Sequence, residues 1–155
     1  MTASTALDVA VEMVTRLRDQ CLRQLRLAER SKQAGEQQLL QLQGYSQETE
    51  QRWLLRTKAP TGQPLLHHHH LFVDRLQVAT ELQRKVVLQQ EVHVNAAQAA
   101  LQAAEQRLQG LIRYRERLLL RAQTAVLRAE QKQWDELALL KLGRNALGAL
   151  KGNFL

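Results

Sequence analysis

A chain of 155 residues with 4% aromatics, seven glycines and two prolines is too poor in large rings for an ordinary globular core, and at 45% apolar it is too hydrophobic for a disordered chain. Gln, Leu, Ala, Arg and Glu dominate, the profile of long helices and coiled coils. The balance of 22 Lys+Arg against 15 Asp+Glu gives +7 and a pI near 10.2, which favours acidic partners, nucleic acid or a membrane face, and also solubilises a long helix with little core.

The opening "MTASTALDVAVEMVTRLRDQ" does not read as a signal peptide, because Asp8 and Glu12 interrupt its apolar residues. No run of about 18 apolar residues follows anywhere, so no membrane span is expected and the chain reads as cytoplasmic. A first helix is predicted over about 5–56. Steps of three and four run from Leu7 through Val11, Val14, Arg18, Cys21, Leu25, Ala28, Lys32, Gly35, Leu39, Leu42, Ser46 and Thr49 to Trp53, nine apolar residues in 14. Cys21 is alone, with no base beside it, and reads as a small seam residue in a reducing compartment.

Both prolines, Pro60 and Pro64, flank Gly62 in "TKAPTGQPLL", which predicts a turn over about 57–65. Four histidines follow, His67 to His70. His67 and His70 share a helical face, but two imidazoles leave a metal half-ligated and no acid stands beside them, so no metal is expected. The run reads as the exposed first turn of the next helix, marking the joint.

The second helix is predicted over about 66–142, with a frayed tail from Gly143 to Leu155. From Val73 the same stepping passes Leu76, Thr80, Gln83, Val87, Gln90, Val94, Ala97, Leu101, Ala104, Leu108, Leu111, Arg115, Leu118, Ala122 and Ala125 to Ala129, with 13 of 17 positions apolar. That is a coiled-coil seam. A short joint between two such helices predicts an all-α fold: an antiparallel two-helix coiled-coil hairpin, one elongated domain, with the second helix longer and overhanging at the end that holds both termini. The frequent Ala buries little area, so stability in isolation is expected to be marginal and to rise on partner binding.

Centring the turn near residue 61 sets Leu7 opposite roughly Arg115 and leaves an overhang of about 25 residues, roughly 37 Å. Its apolar face widens: Leu119 and Val126 lie on one flank with Ile112, and Leu120, Leu127 and Trp134 on another. A helix that inserts into something would carry such a surface. Folding back onto the first helix, or self-association, is the bland alternative. Toward the turn, Phe72, Leu76 and Ala79 form a stripe ending at Gln83, and Gln38, Leu42 and Tyr45 repeat that spacing up to Thr49. The register sets both stripes at one level, a candidate docking patch or else a plug closing the turn end.

None of the nucleotide-binding, hydrolase, metalloprotease or redox motifs occurs, and a two-helix hairpin forms no concave pocket alone, so neither enzymatic activity, cofactor nor small-molecule substrate is expected. A basic coiled coil gripping nucleic acid through Arg113, Arg115, Arg117, Arg121 and Arg128 is the competing class. It is disfavoured on the reading that these arginines fall on several faces and alternate with leucines.

The segments "AGEQQLLQLQGYSQETEQRW", "LFVDRLQVATELQRKVVLQQEV" and "RAEQKQWDELALL" together resemble the flagellar type III export protein family FliJ, over roughly residues 5–142. In the last, Gln131, Lys132, Asp135, Glu136, Leu137 and Ala138 look like the family's terminal element. The resemblance implies an antiparallel coiled coil similar to the γ stalk of rotary ATPases. It implies that the open end inserts into the hexameric ring of the export ATPase FliI, and that a patch toward the turn contacts the export gate protein FlhA. Gln38, Leu42, Tyr45, Phe72, Leu76 and Ala79 match the patch, while Thr49 and Gln83 stand where the family often has an aromatic and a histidine. Escort of substrate chaperones and a location at the cytoplasmic side of the inner membrane, by the gate, are further implications. The stalk of a virulence-type injection system would satisfy the same physics. The histidine run and the apolar tail "GRNALGALKGNFL" depart from the family pattern.

Overall fold

Two helices, α1 (Ala3–Arg56) and α2 (Gln63–Asn153), make up the protein in a computed structural model that describes residues 3–56 and 62–153, with side chains from 5 to 56 and from 62 to 152. They pack against each other as an antiparallel hairpin whose second helix is the longer. Straight-chain Leu, Gln, Glu and Arg, with Ala, lose little on entering a helix, and no proline interrupts either element beyond the first turn of α2. There Pro64 loses nothing, since a first-turn N–H has no helical partner. The Gly62 carbonyl accepts the N–H groups of Leu65 (3.2 Å) and Leu66 (3.4 Å), closing that turn. Of the turn expected at 57–65, residues 57–61, Pro60 among them, lie outside the described residues.

The ends of α2 differ from the sequence reading. It starts at Gln63 rather than 66, and it runs through Gly143 and Gly148 to Asn153 instead of fraying from Gly143. No glycine adopts a left-handed backbone there. A glycine costs a helix roughly 1 kcal/mol relative to alanine, and the intervening Arg144, Ala146, Leu147, Ala149, Leu150 and Lys151 are strong helix formers that continue the ladder.

The chain divides into two compact units: Glu12–Leu108, and Met1–Val11 with Gln109–Leu155. In Glu12–Leu108 the seam follows the stepping of the sequence. Every seam position from Val14 to Trp53 and from Val73 to Leu108 is half-buried or buried. Only Val94 (6% exposed) and Leu108 (7%) form a buried apolar core among the described residues. A half-buried Val or Leu contributes about 1 kcal/mol, so this coiled coil is held by many small terms.

Around Gly35 the seam is polar. Gln83 donates its Nε2 N–H groups to the Gly35 carbonyl (3.0 Å) and to Gln38 Oε1 (3.2 Å). Gln90 lies over Gly35 so closely that a Cβ there would collide with its Oε1, which is buried and has no hydrogen-bond partner. Gly35 thus permits close approach of the two helices. Two effects oppose each other in Gly35→Ala. The helix gains roughly 1 kcal/mol of propensity, while the Gln90 amide must rotate away. Rotation into water rehydrates an orphaned oxygen, so it costs little. The expected result is a rise in Tm of about 2–4 °C by circular dichroism; a fall would show that Gln90 is locked in place.

In the other unit Leu7 and Val11 are half-buried, as are Leu111, Ile112, Arg115 and Leu118. Arg115 Nη1 donates to Asp8 Oδ1 at 3.3 Å, one position from the expected pairing of 7 with 115. From Leu119 to Lys151 every residue is exposed, the seam-phase Ala122, Ala125 and Ala129 included. This is the overhang, and because α2 runs on to Asn153 it is roughly 50 Å long rather than 37 Å.

Candidate functional site

Near the joint, within Glu12–Leu108, the two helices form a groove of about 600 Å³. Tyr45, Glu48, Thr49, Arg52, Trp53 and Arg56 line it from α1, and His69, Phe72 and Leu76 from α2. Two of its lining residues are stacked: the Trp53 and His69 rings lie 4.0 Å apart and only 8° from parallel. The histidine run therefore does more than mark the joint. His67, His68 and His70 are exposed, but His69 is half-buried against the tryptophan. Among the described residues no group of three or more His, Cys, Asp or Glu is placed to hold a metal.

Three of the six patch residues expected from the sequence meet in this groove. Tyr45 (57% exposed) and Phe72 (51%) present their rings to solvent, and Leu76 lies half-buried between them and the seam. Leu42 and Ala79 are half-buried and Gln38 is exposed, none of them lining the groove, and Gln38 is occupied with Gln83. Thr49 donates its hydroxyl to the Tyr45 carbonyl at 2.7 Å, so the position offers a methyl rather than a free hydroxyl. Sequence reasoning missed Trp53 and His69 as groove residues. The signal was present: Trp53 ends the first seam, and the register that pairs 7 with 115 pairs 53 with 69.

On the overhang, Leu119, Leu120, Val126, Leu127 and Trp134 are all exposed, Trp134 most of all at 71%. At about 100° per residue, Leu119 and Val126 share one flank and Leu120, Leu127 and Trp134 share another, forming one continuous apolar face. Leu137, Leu139, Leu140, Leu142, Leu147 and Leu150 extend the exposed apolar surface toward the C-terminus. The arginines require a correction. Arg115 is half-buried and turned to Asp8. Arg113, Arg117, Arg121 and Arg128, far from being scattered over several faces, fall within about 80° of arc on one side of the helix. The overhang thus carries an apolar face and a basic flank.

An antiparallel coiled coil that turns large apolar side chains outward in strips is a protein built to dock onto partners. A family model described as "Flagellar FliJ protein" matches residues 4–147. The chain belongs to the flagellar FliJ family and is a coiled-coil component of the flagellar export machinery, a family of non-catalytic export proteins. No curated protein matches the chain. No helix among the described residues is long and apolar enough to cross a membrane.

Proposed function

We propose that this protein is the stalk of the flagellar type III export ATPase, entering the hexameric ring with the overhang of α2 and contacting the export gate with the groove near the joint. The observation that carries this reading is the overhang itself: about 50 Å of helix with no packing partner among the described residues, bearing exposed Leu119, Leu120, Val126, Leu127 and Trp134. A helix of this kind is stable in water only at a cost in exposed apolar surface, and a narrow apolar passage would remove that cost. The basic flank suits a passage lined with carboxylates. Escort of substrate chaperones, and a place at the cytoplasmic face of the inner membrane beside the gate, complete the proposal.

The test is the ATP hydrolysis rate of the cognate export ATPase, titrated with this chain at moderate salt with and without competing duplex DNA. A saturable rise with ring formation that DNA does not suppress is the expected outcome. A flat response would leave an adaptor without a stalk role, and suppression by DNA would point to nucleic acid as the preferred acidic partner.

A further inference from the structure

The second helix carries a second seam. Opposite the face that packs on α1, steps of four and three run from Leu71 to Ala103 with seven of ten positions apolar. The first part is large: Leu71, Val78 and Leu82. The last part is small: Ala96, Ala99 and Ala103. Val92 lies between them. All of these are exposed, and the whole strip lies within Glu12–Leu108. A 3.5-residue apolar repeat is the signature of a helix that packs along another helix, and a solvated outer face has no reason to keep it over so many turns.

We infer that this outer face pairs with the same face of a second copy of the chain, antiparallel, about a two-fold axis near residue 87. The strip is complementary to itself in that arrangement. Leu71 meets Ala103 of the other copy, Val78 meets Ala96, and Leu82 meets Val92, so bulky side chains fill the space left by small ones. Val86 and Leu88, both exposed, flank the axis and each meets its own counterpart. The three polar positions select the direction. A parallel pair would stack Arg75 on Arg75 and Lys85 on Lys85. The antiparallel pair sets Arg75 against Ala99, where its stem can lie flat with the head in water, and Lys85 against Gln89. Because α1 covers the opposite side of α2 in this unit, it does not obstruct the approach. A contact about 50 Å long and about 10 Å wide on each partner buries on the order of 1,000 Å² in total, the low end for a specific interface. A contact at this low end fits a reversible pair, for which a Kd in the micromolar range is the expected reading.

Sedimentation equilibrium of the full chain tests this. Wild type is expected to show a monomer–dimer equilibrium. Leu82→Glu is expected to weaken association at least tenfold with unchanged helicity, since Leu82 is exposed. Monomer alone at concentrations up to about 100 μM, well above the expected Kd, would overturn the inference, as would a dimer that survives Leu82→Glu but is lost in Leu127→Glu. Register is read independently by oxidation in a Cys21→Ser background. Val86→Cys is expected to cross-link to itself, whereas Val78→Cys is expected to do so only when mixed with Ala96→Cys. Efficient self-cross-linking of Val78→Cys would mean a parallel pair and refute the two-fold.

Discussion

Glutamate at both Leu119 and Leu127 is expected to abolish stimulation of the export ATPase while leaving the helical circular dichroism signal as it is in wild type. Both leucines are exposed, at 54% and 64%, so the free protein loses no packing, and surface changes of this kind stay within about 0.5 kcal/mol of neutral. The loss falls on the bound state. Each carboxylate taken into an apolar passage without a partner costs several kcal/mol or must be protonated first. At 1.4 kcal/mol per tenfold, two such costs raise the half-maximal concentration by more than about 100-fold. The basic flank stays intact in this variant, so purely electrostatic binding would survive the change. Unaltered stimulation would show that the apolar face of the overhang does not enter the ring.

The second large effect is expected at the groove. Tyr45→Ala combined with Phe72→Ala should weaken binding to the cytoplasmic part of the gate at least tenfold in calorimetric titration, because exposed rings flanking a groove hold interface energy of about 1–2 kcal/mol each. Helicity should hold, since both residues are more than half exposed. Leu76→Ala separates surface from support. Leu76 is half-buried in the seam as well as lining the groove, so its truncation should lower thermal stability together with affinity. Undiminished gate binding by the Tyr45→Ala/Phe72→Ala variant would mean that the groove closes the turn end and does nothing more.

Most of this fold could be read directly from a 3.5-residue period. The stepping that begins at Leu7 and at Val73 names every half-buried seam position in each unit up to Leu118, because burial along a coiled coil depends on phase and on little else. Register was legible for the same reason: with one short joint, pairing follows from distance to the turn, and Asp8–Arg115 and Trp53–His69 fall within a residue of it. What the period could not supply was the end of α2. Gly143 and Gly148 look like stops when taken one at a time, yet a helix boundary depends on the sum over its neighbours. Nor does a list of arginines show which share a side, and Arg115 hid the clustering of the other four by belonging to the seam. The Trp53–His69 stack was obscured by reading four histidines as one feature, although only one of them turns inward.

The polar layer at Gly35, Gln83 and Gln90 has a dynamical meaning beyond its small effect on stability. Hydrophobic seams slide poorly, because each step lifts all their side chains out of their holes together. Here the hairpin carries an unpaired amide oxygen and a glycine with no side chain, so local rearrangement is expected to be easier than in the apolar layers beside Val94 and Leu108. Opening of the seam within Glu12–Leu108 is therefore expected to begin at this layer, seen as faster amide exchange around Gly35 than around Leu108.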